Sequence, residues 1–448
     1  MNKENIFTII LLTLLLVFIS CSSIYTDTPE VTLKNAIEVN PDEEYFTPGN
    51  IYSKNHKEFS WLYNDSWIYV ETREYDRYVS TLTDGTKCYV KDKVARFVKY
   101  NPNTGIVSSL CLDPNCTHSP GSSCLMLIPQ ECDIYNPQGM VGDWFMFTYS
   151  FVDEDIGLRR EAYVYNLKTG EGIKIFEGDK EDYFATVWKN RCVFGNKLYS
   201  TKNLLDYSNS GYDPAGVNPM SDFKPETKSY LGVYDFEQRK ETVLFEVPAN
   251  YTISAVTNKR FFFKAEDGSI YSCDHNGENM TKEKNLDFSP QDFCGTYAYG
   301  FDNEAQEIKI YDLRTDTVKN IPMEYPFQNC ILCNEGIMFS TCSVSYQDYI
   351  KAKMIPNWNA YMQLRHDGAA WVYLMDFDGS NSEQIYENED LGIVVYYASG
   401  DYLYAWVTDY DPSNPTNYNY MNSTRHIINR TTGEITPVPL LELVLVEE

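Results

Sequence analysis

Positive charge is scarce in this chain: 37 Lys and Arg stand against 64 Asp and Glu, a formal net charge of −27. Such an acidic surface repels nucleic-acid phosphates and anionic lipid heads, which excludes nucleic-acid binding. Long apolar runs are missing beyond the first twenty residues, so no later segment approaches membrane-spanning length. Helical periodicity is missing too, which excludes a helical body. There is no phosphate loop, dinucleotide-binding glycine fingerprint, nucleophile elbow or zinc-protease helix, so no common catalytic chemistry has a sequence warrant. Histidine is rare, and His56, His275, His366 and His426 lie scattered in polar contexts that predict solvated side chains.

The chain does have a distinctive start, MNKENIFTIILLTLLLVFISCSS. The apolar run from Ile6 to Ile19 is too short to cross a bilayer and suits the core of a signal peptide. Ser20-Cys21 at its end resembles the bacterial lipobox. That resemblance implies a signal peptide over residues 1–20 and lipidation of Cys21, with attachment to the extracytoplasmic face of the cell membrane. Each buried CH₂ of an acyl chain contributes about 0.8 kcal/mol, so two or three chains hold firmly. Residues 22–55, with scattered apolar side chains, Pro, Asn and acids, read as a tether, and residues 56–448 as the folded body.

A repeat organises that body. Seven segments share one shape, a short strand ending in Asp or Asn, a turn, then another strand. They are FVKYNPNTGIVSSL, YVYNLKTGEGIKI, LGVYDFEQRKETVLF, IYSCDHNGENM, IKIYDLRTDTVKNI, VYLMDFDGSNSEQIY and HIINRTTGEITPV. Asp and Asn start turns by accepting forward backbone N–H groups, so each segment reads as a hairpin. A second aromatic-rich, β-forming run precedes each one. Tyr234 to Cys273 spans 39 residues and Cys273 to Tyr311 spans 38, the spacing of four-stranded propeller blades. The longer intervals read as blades with insertions. The expectation is all-β, a β-propeller of seven four-stranded blades, with six or eight left open by unclear first and last boundaries.

Trp371-Val-Tyr-Leu-Met-Asp-Phe-Asp-Gly-Ser-Asn resembles the blade repeat of TolB-type propellers, a WD40-like arrangement. Cys111-Leu-Asp-Pro-Asn-Cys-Thr-His118 is similar to a Cys-x-Asp-Pro-x-Cys-x-His segment found in uncharacterised propeller lipoproteins of anaerobic Gram-positive bacteria. The resemblance covers roughly residues 55–440. It implies a fold and a location, and no established activity.

In a propeller with strands A to D from axis to rim, A–B and C–D connections lie on one face, B–C and D–A connections on the other. The seven Asp/Asn turns are C–D turns. The long segments, Glu74–Lys93, Val152–Arg160, Thr201–Ser229, Ser345–Ala370 and Asp409–Thr424, fall between B and C and crowd one face. Variable connections on one side of a rigid scaffold are how binding surfaces are built. Tyr207, Tyr212, Tyr346, Tyr349, Trp358, Tyr361, Asp409, Asp411, Tyr418 and Tyr420 in these loops are candidate contacts for a glycan, peptide or envelope protein, or else pack the loops together. The expected function is non-catalytic binding or scaffolding at the membrane. The alternative is a carbohydrate-active enzyme, a glycoside hydrolase or lyase, with acids near the axis.

Cys111, Cys116, His118 and Cys124 form a Cys₃His set that suits tetrahedral zinc, and Pro114, Pro120 and Gly121 let the chain wrap an ion. With Cys132 added, the same cysteines allow two disulfides, which an extracytoplasmic compartment favours. Either reading makes the segment a structural staple. Cys330-Ile-Leu-Cys333 sits in a β context and reads as buried strand residues, as do Cys192, Cys273 and Cys294. Asp376–Gly379 reads as a blade turn.

Overall fold

The computed structural model describes residues 39–441, apart from 47–51, 54–60, 82, 84–85, 117, 119–123, 130–131, 133, 154–156, 178–179, 182–183, 212–222, 303–304, 325–326, 343–369, 389–391 and 409–422. Seven separate antiparallel sheets follow one another along the chain. Their four blade strands run 61–63, 66–81, 87–101 and 106–109 in blade 1, and 134–141, 144–153, 157–166 and 172–177 in blade 2. Blade 3 uses 184–194, 197–206, 226–235 and 240–247, and blade 4 uses 252–256, 260–264, 270–274 and 281–282. Blade 5 uses 292–294, 297–302, 307–312 and 317–322, and blade 6 uses 327–333, 336–342, 370–375 and 383–388. Blade 7 closes the series with 392–399, 402–408, 423–429 and 435–437.

Burial orders the strands. The first strand of blade 5, Asp292–Cys294, is buried throughout, whereas the fourth strands of blades 3 to 5 are largely exposed. The first strand therefore lies at the axis and the fourth at the rim. Consecutive blades share apolar clusters: blades 1 and 2 through Phe97, Phe145 and Phe147, blades 3 and 4 through Leu231 and Phe263, blades 5 and 6 through Tyr299 and Phe339. One further cluster joins blades 6 and 7 to blade 1, with Trp67 and Tyr404 ring centroids 4.5 Å apart, so the ring is closed. The seven-bladed propeller expected from the repeat is the fold.

The turn motif has a double duty. Asn101, Asn166, Asp235, Asp274, Asp312 and Asn429 each accept a backbone N–H from two to four residues ahead. At Asp376 the carboxylate instead takes Ser380 Oγ and Asn381 Nδ2. The glycines also make room. Gly277 (φ +81°) and Gly379 (φ +73°) lie so close to Phe245 and Ile321 on the preceding blade's outer strand that a Cβ would come within 2.7 and 2.3 Å. These two turns thus dock on the neighbouring blade.

Several elements depart from the sequence expectations, and Val152–Arg160, expected as a long connection, is strand up to Asp153 and again from Gly157. Most of Glu74–Lys93 is not a loop but a hairpin arm, with Tyr75 opposite Asp92 and Thr81 opposite Lys87. His275 is not simply solvated: its Nε2 lies 3.0 Å from the Thr257 carbonyl and its ring sits 4.6 Å from that of Phe261. Residues 39–46, within the stretch read as tether, dock on blades 4 and 5, and Tyr52–Ser53 add a fifth strand on the axial side of blade 5, with Tyr52 opposite Phe293.

Ring closure uses no shared strand among the described residues. The segment after blade 7 crosses to blade 1 instead. Leu441 N–H donates to Glu71 Oε2 at 2.8 Å, and its carbonyl accepts from Arg73 and Arg96. Arg96 and Glu71 form an ion pair at 2.8 Å, with side chains only 3% and 1% exposed.

Candidate metal centre

The outer strand of blade 1 is split. Ile106–Ser109 pairs with Val98–Asn101, and Leu127–Ile128 takes the next positions on the same neighbour, Arg96 and Ala95. Between them Phe97 serves both pieces, accepting from Leu110 N–H and donating to the Met126 carbonyl. Residues 111–125 are therefore an excursion inserted opposite a single ladder position. Cys111 and Cys124 stand at its two ends.

Local chemistry folds the excursion back on itself. Asp113 Oδ1 accepts Asn115 N–H at 2.9 Å and the Asp113 carbonyl accepts Cys116 N–H, a tight turn with Pro114 inside it. His118 adopts φ +52°, a left-handed conformation that non-glycine residues adopt rarely, histidine more readily than most. Blade 2 pins both ends: Tyr165 Oη accepts Leu112 N–H at 2.9 Å, and Tyr149 Oη donates to the Leu125 carbonyl at 3.0 Å. Leu125 presses on Gly172 and Leu112 on Gly170, so that a Cβ at Gly172 would come within 2.3 Å of Leu125. Leu112 thus plays for blade 2 the part that Phe245 plays for blade 4. The sequence places this segment among the loops of the elaborated face. Its contacts with the C–D hairpin of blade 2 place it on the rim, at the junction of blades 1 and 2.

The three sulfurs of Cys111, Cys116 and Cys124 and one imidazole nitrogen of His118 all lie within 4.8 Å of one another, each residue half-buried. Cys124 Sγ and His118 Nδ1 are 3.7 Å apart. A tetrahedron with zinc–sulfur and zinc–nitrogen bonds of about 2.3 and 2.0 Å has an S–N edge of about 3.5 Å, so this donor pair is already spaced to share an ion. Cys132 does not join them. Its Sγ lies 3.5 Å from the Ser150 carbonyl. Among the described residues no two cysteines are bonded, and the sulfurs of Cys111, Cys116 and Cys124 converge with His118 on one point.

Burial dominates the electrostatics. It pushes the Cys111 thiol up and the Cys124 thiol further up. It pushes His118 down, assisted by the positive charge of Arg96. Without a cation these groups prefer to be neutral, and a dication reverses that for the thiols. Four protein donors around one point leave no open position for a substrate, the arrangement of structural rather than catalytic zinc.

No family model matches the chain, and no curated protein does. Solved structures with a similar trace include a puromycin-hydrolyzing peptidase of Mycobacterium tuberculosis, 10% identical over 88% of this chain and 55% of that one, TM-score 0.43. An acylaminoacyl peptidase of Pyrococcus horikoshii is 12% identical over 87% of this chain and 54% of that one, TM-score 0.41. The β-propeller domain of the Trilobed protease from Pyrococcus furiosus is 11% identical over 68% and 71%, TM-score 0.27. The chain spans about half the length of the first two, and likeness at this level carries no argument about activity.

The other expected site residues divide sharply. Tyr207 is buried, 6% exposed, with its carbonyl accepting Ser210 Oγ, so it packs the base of its loop rather than facing a ligand. Cys21, Tyr212, Tyr346, Tyr349, Trp358, Tyr361, Asp409, Asp411, Tyr418 and Tyr420 lie outside the described residues. The first strands of the seven blades contribute one carboxylate, Asp292, which is fully buried and accepts Leu332 N–H at 3.2 Å. A short strand, Lys180–Glu181, pairs on the axial side of blade 3 and adds Glu181. A feature the sequence pattern does not reveal is a cavity of about 250 Å³ where the D–A connection entering blade 5 meets the B–C end of that blade. Phe288, Gln291, Phe301, Asp302 and Lys309 line it, brought together from three segments of chain.

Proposed function

We propose that the protein is a lipid-anchored, extracytoplasmic binding scaffold that uses the B–C/D–A face of its propeller and carries a structural zinc ion on its rim. The observation that carries the binding reading is an asymmetry of connections. The C–D turns are short, whereas the connections 207–225, 343–369 and 409–422 all join second to third strands, whose joined ends lie on one face. The cavity at Phe288 and Phe301 belongs to that face. Two aromatic rings beside Gln291, Asp302 and Lys309, in a space about the size of one sugar ring, suit a carbohydrate, which presents an apolar ring face and polar edges together. The resemblance at Ser20-Cys21 and at Cys111–His118 to propeller lipoproteins supports the anchor and the location. Burial of Asp292 and the strand at Tyr52–Ser53 beside it argue against the glycosidase alternative.

The zinc rests on the convergence of Cys111, Cys116, His118 and Cys124. These residues would hold the ion, which would cross-link the two halves of a split strand. The binding reading is tested by titrating the full-length protein with wall polysaccharide fragments, alongside a variant in which 343–369 is replaced by a short Gly-Ser turn. Saturable binding that the replacement abolishes, with the fold intact by circular dichroism, supports it. Binding unchanged by the replacement and by Phe301→Ala refutes it. Metal analysis of purified protein tests the zinc: about one equivalent that disappears in Cys116→Ser supports it, and no metal with Cys111, Cys116, Cys124 and Cys132 bridged refutes it.

A further inference from the structure

Residues 39–46 are bound to one particular face. Asn258 N–H donates to the Tyr45 carbonyl, Tyr45 N–H returns a bond to Asn258 Oδ1 at 3.0 Å, and Asn258 Nδ2 donates to the Glu43 carbonyl at 2.8 Å. Lys259 Nζ reaches the Asp42 carbonyl at 2.9 Å. Glu44 accepts Thr257 Oγ1 at 2.7 Å and Arg260 Nε at 2.9 Å, and Arg260 also holds Glu283 at 2.8 Å. Phe46, 1% exposed, inserts between Phe262 and Phe293, with its N–H on the Gly295 carbonyl at 2.8 Å. Asn258, Lys259 and Gly295 are A–B turn residues of blades 4 and 5. The segment therefore lies on the face of short turns, opposite the elaborated loops.

From there the chain rises through the ring. Tyr52 and Ser53 pair with Phe293 and Asp292 of the inner strand of blade 5, in antiparallel sense, and blade 1 begins at Trp61. The part of the chain before Val39 consequently leaves from the turn face. Eighteen steps separate Cys21 from Val39. Such a chain spans about 60 Å fully extended but only about 23 Å on average. A ten-residue strand such as Lys197–Asp206 is about 33 Å tall. Turning the loop face to the membrane would draw the chain round the rim and up that height, well beyond its average span.

We propose, on the reading that Cys21 carries the anchor, that residues 39–46 are an orienting latch. They keep the turn face toward the membrane and present the B–C/D–A face outward. The partner then approaches from outside and is not a lipid head or a membrane-embedded chain. A net charge of −27 repels anionic polymers, so the chemistry that fits is a neutral polysaccharide.

The test uses full-length lipidated protein in liposomes with an acceptor dye on the lipid heads. A donor dye is placed on an introduced unnatural side chain at Asn103, in the C–D turn of blade 1, or at Glu266, in the B–C turn of blade 4; both residues are exposed. Energy transfer several-fold stronger from Asn103 than from Glu266 is expected. Glu44→Lys combined with Phe46→Ala frees the latch and should bring the two signals together, while the protein still floats with the liposomes. Equal transfer from both positions in the unaltered latch, or stronger transfer from Glu266, overturns the latch. Cys21→Ser protein that still floats overturns the anchor reading itself, so the two failures are separable. A neutral polysaccharide that shields Asn103 and not Glu266 from a soluble quencher overturns the choice of face.

Discussion

Blade 4 and blade 1 solve the same problem with different means. Blade 4 fits four strands between Thr252 and Lys282. It is held by Phe261, Phe262 and Phe263, each 2% exposed or less, and by a turn that docks through a bare glycine. Blade 1 runs from Trp61 to Ile128, sends out a hairpin arm, and has an outer strand broken by residues 111–125. The minimal blade combines apolar packing with a half-buried ion pair, Arg260 with Glu283. An elaborated one acquires polar clips, a four-donor cluster on the blade 2 side and a buried Arg96–Glu71 pair on the blade 7 side. Long excursions bury little apolar surface of their own while their closure costs chain entropy, and that deficit is what clips offset.

The contrast can be broken at its strong end first. Phe262→Ala should cost about 3–5 kcal/mol of unfolding free energy, because the ring is buried between Phe46 and the blade 4–5 cluster and leaves a cavity. Denaturant melts check it. Glu71→Ala should cost about as much, roughly 3–5 kcal/mol, by leaving Arg96 buried without its carboxylate. Here hydrogen exchange should rise at the blade 7–blade 1 seam and at Leu441, and stay level in blade 4.

Removing metal tests the proposed zinc next. At a hundredfold excess over Kd a bound zinc would contribute about 2.7 kcal/mol, which a chelator should abolish. Exchange should then rise over 106–128 and not over 252–282. Acid should act the same way. His118 is held below its ordinary value, so the stability it supports is present above that value and lost as pH falls through its lowered one. Cysteine ligation also requires proton loss from thiols that burial holds protonated. Metal release on acidification from pH 7 to about 5, read by a chromophoric indicator, checks both. The smallest effect belongs to a turn. Asp274 is lowered chiefly by the Glu278 N–H, so the carboxylate supports blade 4 above its ordinary value and that support fades as acid protonates it. Asp274→Asn should remove this part of the acid sensitivity and leave the melting midpoint at neutral pH almost unchanged.

Much of the fold was legible because it is local. Six of the seven Asp or Asn residues at strand ends bond backbone within four residues, so their signal survives in a single sequence. The Cys₃His spacing was visible for the same reason, since Cys111 and Cys124 lie close along the chain as well as in space. The hairpin arm was misread as a loop because Glu74–Lys93 is too polar to look like a strand, although cross-strand pairs such as Lys91 with Asp76 suit one well. Tyr207 was misassigned because burial of a loop tyrosine depends on what packs over it.

Residue order alone determined the all-β character, the seven repeats, the acidic surface and the cluster of metal-ligating residue types, because each depends on neighbours a few positions apart. Tertiary structure decided the rest: that the three sulfurs and His118 converge on one point, that Leu441 seals the ring on Glu71, and that residues 39–46 hold the turn face. Those outcomes join groups as many as 370 residues apart. Such contacts are set by which surfaces the closed ring brings together, and no local pattern encodes them.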